Sequence, residues 1–119
     1  DGGTLPEMQV VQLLGVLGST RHSYSGQSLV ENLARKLGGE GIYLYTPFIV
    51  DTEDTAETLR NNPSIKEAIA LARKSDLAIL GIGSTHPEYC SLLQGGHISR
   101  KDLNDHRTGR GWRCQRALL

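Results

Sequence analysis

The sequence predicts an α/β fold in which a parallel sheet is connected by crossover helices. Residues 77–80 are an uninterrupted apolar run, residues 8–14 are largely apolar, and residues 41–45 are rich in aromatic and branched side chains. Each segment has the composition of a strand, and the first two lack the polar alternation of a half-exposed one. Segments with helical periodicity separate them, in the order β-α-β-α-α-β-α. Strands that alternate with helices in this way are expected to run parallel, with right-handed crossovers.

The first helix is predicted to begin at about Gln27 and to end at the glycine pair of residues 38–39. Its predicted apolar face follows a helical spacing. That face consists of Leu29, Val30, Leu33, Ala34 and Leu37.

Later helices are predicted from their capping residues. Asp51 or Thr52 can cap a helix through about Arg60, and Asn62 followed by a proline begins the next one. The face of that second helix is predicted to contain Ile65, Ala68, Ile69 and Ala72. Residues 91–94 form a single predicted turn, and residues 100–106 form a last helix. Ser99 caps it, with Asp102 as the reciprocal partner.

Composition excludes several classes of function. The 119 residues carry 13 basic and 13 acidic side chains, so a basic nucleic-acid-binding face is not indicated. No apolar run approaches the ~20 residues of a membrane span, and the first residues do not resemble a signal peptide. Cys90 and Cys114 lack metal-ligand spacing and fit reduced thiols, so the cytoplasm is the expected compartment.

No motif for catalysis, metal binding or a cofactor stands out. The four histidines are scattered, no serine lies in a nucleophile elbow, and the glycines match neither a dinucleotide loop nor a P-loop. Cys90 could act as a nucleophile, although a semi-buried bystander thiol is the commoner case. The sequence therefore predicts no catalytic constellation and no cofactor.

Glycine-marked strand ends are the candidate binding region. Gly15 and Gly18 follow the first predicted strand, Gly81 and Gly83 follow the third, and the polar residues 19–26 precede a helix. Backbone N–H groups at such a position can bind an anion. The alternative is structural: the glycines simply end buried strands, and residues 19–26 form a solvated loop.

Six segments resemble the effector domain of SorC-type bacterial transcriptional regulators, in order and with matching spacing from about Met8 to Asp105. They are residues 9–18, 29–34, 43–47, 62–65, 72–84 and 98–103. The resemblance implies a Rossmann-like fold related to ribose-5-phosphate isomerases and CoA transferases. It also implies a phosphorylated sugar as effector, DNA contact only through an N-terminal helix-turn-helix outside this chain, no membrane partner and a homo-oligomeric full-length protein.

By the same resemblance, the ligand lies over the strand ends. The implied ligand-binding residues are Gly15, Gly18, Ser19, Ser25, Gly26, Pro47, Gly81, Gly83 and Ser84. The Ser25 position often carries a larger polar side chain in the family, so a weaker contact is expected there. The family's phosphate loop and its helix-turn-helix are expected upstream of Asp1.

The resemblance divides the chain into residues 1–7, a loop or cut end, residues 8–105, a partial effector domain, and residues 106–119, an Arg-rich tail. Back-translated and read one base later, residues 107–119 can encode the Gly-Ala-Val-Gly-Asp segment that the family has there. We therefore hypothesise a frameshift, which the nucleotide sequence would test. A sheet cut at this point is expected to be marginally stable or prone to aggregation.

Two alternatives to a sugar-sensing module remain open from the sequence. The chain could be a fragment of an isomerase-like enzyme, with a carboxylate or Cys90 acting on a sugar phosphate. It could also bind nothing in this truncated form.

Overall fold

The fold is a mixed α/β arrangement with a small parallel sheet, which confirms the predicted class. The computed structural model describes residues 7–16, 25–109 and 117–118. The elements are β1 (Gln9–Val11), α1 (Gly26–Leu37), β2 (Glu40–Ile42), β3 (Ile49–Val50), α2 (Glu53–Arg60), α3 (Pro63–Arg73), α4 (Ser91–Gln94), α5 (Arg100–Arg107) and β4 (Ala117–Leu118).

β1 and β2 pair in parallel, as predicted, with Val11 opposite Ile42. Paired residues of neighbouring strands point to the same face of a sheet. One face of this pair packs against α1 and the other packs against α3. The pair is therefore covered by a helix on each side, which is the layering that a crossover connection produces.

The described core lies on the α3 face. Leu44, Ile65 and Ala68 are buried together, at 3–5% exposure. Ile42, Leu59 and Ile69 pack against this cluster. The predicted apolar face of α3 is thus confirmed, because Ile65, Ala68 and Ile69 all contribute to this core.

The termini at Gly38, Thr52 and Asn62 follow the predicted capping residues, whereas the cap at Ser25 was not predicted. Ser25 and Ser28 form a capping box at the start of α1, and Gly38 ends that helix in the left-handed region at φ 68°. Thr52 caps α2 and Asn62 caps α3, with proline at its first position. These ends depend on hydrogen bonds within a few residues, so the local sequence is enough to predict them.

The capping box of the last predicted helix is also confirmed. Ser99 accepts the backbone N–H of Asp102, whose carboxylate accepts the backbone N–H of Ser99. Leu103 is the buried residue of that helix. The single predicted turn corresponds to α4.

The predicted face of α1 is confirmed except at Leu29. Leu33 and Leu37 are half-buried. Val30 and Ala34 are buried, whereas Leu29 is 60% exposed. Leu29 lies about 100° around the helix from Val30, and only one of the two can face the sheet directly.

Three strand predictions need correction. Residues 77–80 form no strand, and Leu77, Ile79 and Leu80 are 69–78% exposed. An apolar strand is buried only where a neighbouring strand and a covering layer receive it, and the described part of the chain supplies neither at this segment. The apolar run is therefore left in solvent.

The first two strands are also shorter than predicted. β1 ends at Val11, and Leu13 and Leu14 are about half exposed. β2 ends at Ile42 rather than at Tyr45. β3 and β4, which were not predicted, pair antiparallel, so the described strands are not all parallel.

None of the helices in the described ranges is long and apolar enough to cross a bilayer.

Candidate functional site

The carboxyl-terminal ends of β1 and β2 stay together after the strands end. Val16 lies opposite Pro47. Each residue is five positions beyond its partner in the Val11–Ile42 pair, so the parallel register is unchanged. The Val16 N–H donates to the Thr46 carbonyl at 2.7 Å, and the Phe48 N–H donates to the Val16 carbonyl at 2.9 Å. Ligands of open α/β sheets bind beyond this end of the strands.

Gly15 allows the segment after β1 and the segment after β2 to approach each other closely. A Cβ atom at Gly15 would lie 2.6 Å from the carbonyl oxygens of both Thr46 and Pro47. Only glycine fits here without a backbone shift, since real Cβ atoms essentially never come closer than 3.0 Å to such atoms. Gly15 therefore has a packing role at the strand ends.

Gln12 joins the strand ends to each other. Its side chain is buried at 6% exposure. The Nε2 amide donates to the Leu14 carbonyl at 2.8 Å, and Oε1 accepts the Leu44 N–H at 3.4 Å. The side chain thus pairs two backbone groups where the regular strand pairing is interrupted.

The N-terminus of α1 lies against the same amide. A Cβ atom at Gly26 would be 3.3 Å from Gln12 Nε2. The first turn of α1 contains no acidic side chain, so its partial positive charge is not neutralised within the helix. An unneutralised helix N-terminus at the end of two parallel strands can bind an anion.

Thr46, whose backbone carbonyl lies against Gly15, carries a buried hydroxyl. The residue is 4% exposed, and its Oγ1 makes no hydrogen bond in the described structure. An unsatisfied buried hydroxyl is costly, and such groups are uncommon in native proteins. It is the polar side chain at the strand ends whose hydrogen-bonding capacity is unused.

Residues 3–110 match the family described as "Putative sugar-binding domain". This chain belongs to that sugar-binding domain family.

A solved relative has the same fold. The chain is similar to a crystal structure of the "Putative Sugar-Binding Domain of Transcriptional Repressor" from Vibrio fischeri, with a TM-score of 0.69 and 25% sequence identity. The similarity covers 88% of this chain and 40% of the Vibrio fischeri chain, so this chain spans about two fifths of that structure. The comparison with curated proteins found no match.

In this member of the sugar-binding domain family, some of the predicted ligand residues lie together. Gly15 and Pro47 are in direct contact, and Gln12 links them to Gly26 and its neighbour Ser25. Gly18 and Ser19 lie outside the described residues.

The other predicted ligand residues do not contact the strand ends. Gly81 and Gly83 have open space around them, with no atom within 4 Å of an added Cβ. Ser84 is exposed and accepts the His86 N–H. All three follow the exposed segment that was predicted to be a strand, and their position is a consequence of that segment lying in solvent.

Sequence reasoning missed Gln12 and Thr46. The signal for Gln12 was present, because a polar residue occupies an inward position in an otherwise apolar run. Thr46 had no comparable signal.

The polar groups described at the ends of β1 and β2 are hydrogen-bonding groups. Backbone amides, hydroxyls and one carboxamide surround the strand ends, and no group of three or more His, Cys, Asp or Glu in the described ranges could hold a metal ion. Cys90 is 5% exposed and lies at the start of α4.

Proposed function

We propose that this chain is the sugar-sensing part of a SorC-type bacterial transcriptional regulator and that it binds a phosphorylated sugar without turning it over. The family match over residues 3–110 carries the proposal. The Vibrio fischeri relative is the sugar-binding domain of a transcriptional repressor, which supports the regulatory role. Such a regulator works in the cytoplasm and contacts DNA through a helix-turn-helix outside this chain.

The strand ends are the proposed sugar site. Gly15 and Pro47 form its floor, and Ser25 and Gly26 form one wall. Gly18 and Ser19, which lie outside the described residues, are proposed ligand contacts as well. The phosphate is placed at the N-terminus of α1, where the first turn has no acidic side chain. The sugar hydroxyls are placed near the Gly15–Thr46 contact.

Binding without turnover follows from the chemistry of these residues. Among the described residues of the proposed site, glycine, proline, serine and a carboxamide provide no general base at neutral pH, and turnover of a sugar phosphate requires one. Incubation with aldose and ketose phosphates tests this part: isomer formation above the rate of a buffer control would overturn it.

Titration of the chain with matched pairs of sugars tests the proposed ligand class. Isothermal titration calorimetry should show binding of sugar phosphates and much weaker binding of the same sugars without phosphate. Affinity should fall with added salt, because charge contributes to recognition. Equal affinity for both members of each pair would refute the phosphate preference but leave sugar binding intact.

A charge placed at the N-terminus of α1 tests the position of the phosphate. Gln27 lies in the first turn of α1 and is exposed. Gln27→Glu should stabilise the helix by about 0.3–1 kcal/mol through the helix dipole. It should also weaken sugar-phosphate binding about tenfold, the equivalent of about 1.4 kcal/mol, by repulsion.

Ser64→Glu is the matched control. Ser64 lies in the first turn of α3, which also has no acidic residue. The control adds the same charge to a different helix, so it should leave sugar-phosphate affinity unchanged. Equal loss of affinity in both variants would show that the phosphate does not lie at α1.

A further inference from the structure

Two tyrosines form an aromatic surface beside the proposed sugar site, which we call the tyrosine shelf (Tyr43 and Tyr45). Their ring centroids are 5.9 Å apart, and the rings are tilted by 41°. Tyr43 is half-buried, whereas Tyr45 is 69% exposed. An exposed tyrosine held against a second ring offers a large apolar face with a polar edge, and such side chains are typical of ligand sites.

The tyrosine shelf lies on the α1 side of the β1–β2 pair. A Cβ atom at Gly41 would lie 2.9 Å from the Tyr43 hydroxyl and 3.4 Å from Cγ1 of Val30 on α1. Leu44, between the two tyrosines, packs in the core on the opposite face. Tyr43 therefore lies over β2 next to α1, and its ring supports that of Tyr45 from one side.

A tight turn places Tyr45 at the edge of the proposed site. The Thr46 N–H donates to the Leu44 carbonyl at 2.9 Å, so Tyr45 is the central residue of a three-residue turn. The next two residues, Thr46 and Pro47, are those whose carbonyl groups lie against Gly15. Tyr45 thus directly precedes the proposed floor of the sugar site.

The N-terminus of α1 is close to the level of the tyrosine shelf. The helix begins at Gly26, which lies against the Gln12 side chain. The unchanged register places Tyr45 level with Leu14, two residues or about 7 Å beyond Gln12 along the strand direction. Leu14 is 51% exposed. A ligand whose phosphate lies at the N-terminus of α1 would therefore have its sugar ring beside Tyr45.

The size and chemistry of the tyrosine shelf favour a sugar ring over a protein partner. One exposed tyrosine beside a half-exposed leucine offers far less than the roughly 800 Å² that each partner of a stable protein complex buries. A pyranose ring has a face of C–H groups and a rim of hydroxyls. An aromatic ring can stack on that face while backbone groups hydrogen-bond the rim. An open-chain polyol has no such face.

We propose that Tyr45 stacks on the pyranose ring of the ligand and so makes the site specific for the closed-ring form of a hexose phosphate. The inference rests on the proposed function, because a phosphate at the N-terminus of α1 is what brings the ring to Tyr45. Tyr43 is a positioning residue that supports the Tyr45 ring. Alditol phosphates, which carry the same phosphate but cannot close a ring, are discriminated against.

Isothermal titration calorimetry of the whole chain with matched pairs of hexose and alditol phosphates tests the proposal. The probes are the 6-phosphates of glucose and sorbitol, of mannose and mannitol, and of galactose and galactitol. The members of a pair share the phosphate and the carbon chain, and only one of them forms a ring. At least one hexose phosphate should bind about tenfold more tightly than its alditol phosphate.

Substitutions at Tyr45 assign this preference to the aromatic ring. Tyr45→Ala should lower the affinity for the hexose phosphate about tenfold and leave that for the alditol phosphate unchanged. Tyr45→Phe keeps the ring and should keep the preference. Because the side chain is 69% exposed, both variants should fold, and circular dichroism checks this.

Tyr89→Ala is the matched control. Tyr89 is 71% exposed and is also paired with a second ring, that of His86, at a centroid distance of 5.4 Å. It lies in the turn before α4 and should bind both members of each pair like the wild type.

Proton NMR gives a second measurement that a merely structural role of Tyr45 would not affect. A sugar ring stacked on an aromatic face lies in its ring current, so the C–H resonances of the bound hexose phosphate should move upfield. The movement should be present with the wild type and with Tyr45→Phe and absent with Tyr45→Ala.

Four results would overturn the inference while leaving sugar-phosphate binding, and so the proposed function, intact. They are alditol phosphates that bind as tightly as the hexose phosphates in every pair, wild-type affinity of Tyr45→Ala for the hexose phosphate, an equal loss for both members of a pair in that variant, and binding of pentose phosphates but of no hexose phosphate. A wild-type chain that binds no sugar phosphate would instead refute the proposed function and the inference together.

Discussion

Replacement of Gly15 by alanine should destabilise the contact between the ends of β1 and β2. The added Cβ would lie 2.6 Å from two carbonyl oxygens, about 0.8 Å short of the 3.4 Å at which ordinary contact begins. Neither oxygen belongs to a flexible side chain, so the backbone itself must move.

The magnitude follows from the contacts that such a movement breaks. Moving these two segments apart lengthens two hydrogen bonds, from Val16 N to the Thr46 carbonyl and from Phe48 N to the Val16 carbonyl. At about 1 kcal/mol for each hydrogen bond, and about 1 kcal/mol of remaining overlap, the expected loss is about 3 kcal/mol. Because small domains have only about 5–15 kcal/mol in total, this loss is large.

Urea denaturation followed by circular dichroism measures this loss. The midpoint of Gly15→Ala should fall, and its thermal midpoint should drop by about 12 °C. Gly83→Ala is the stability control, because no atom lies within 4 Å of its added Cβ. It should change the free energy of unfolding by less than about 0.5 kcal/mol.

A Gly15→Ala variant as stable as Gly83→Ala would refute the reasoning. It would mean that Gly15 is not held against Thr46 and Pro47 in solution. If the stability falls as expected, the same variant should also lose sugar-phosphate binding, because Gly15 forms the floor of the proposed site.

Two further predictions concern polar contacts. Gln12→Met keeps the side-chain length but leaves the Leu44 N–H and the Leu14 carbonyl without their partner, so the free energy of unfolding should fall by about 2–3 kcal/mol in urea titrations. Gln27→Met, at an exposed position, should have almost no effect, and an equal effect of the two would contradict the role given to Gln12. Ser99→Ala should cost about 1 kcal/mol and increase amide exchange in the first turn of α5, because it removes the capping box, whereas unchanged exchange there would show that the cap is not formed.

The sequence by itself determined the helices. Ser25, Thr52, Asn62 and Ser99 each begin a helix through hydrogen bonds to residues two or three positions away. Such contacts are complete within one turn, so the local sequence is enough to indicate them. The pairing of β1 with β2 was also predictable, because a helix between two apolar segments favours parallel neighbours.

The burial of individual strand residues was decided by tertiary structure alone. Residues 77–80 and Leu14 have the composition of a buried strand, yet they lie wholly or half in solvent, while Gln12 and Thr46 are buried. A strand satisfies its peptide groups and covers its side chains only with partners distant in sequence, so its own composition cannot show whether those partners are present. The same reason explains why the contact of Gly15 with Thr46 and Pro47, on which the proposed site depends, became visible only when the two strand ends were placed side by side.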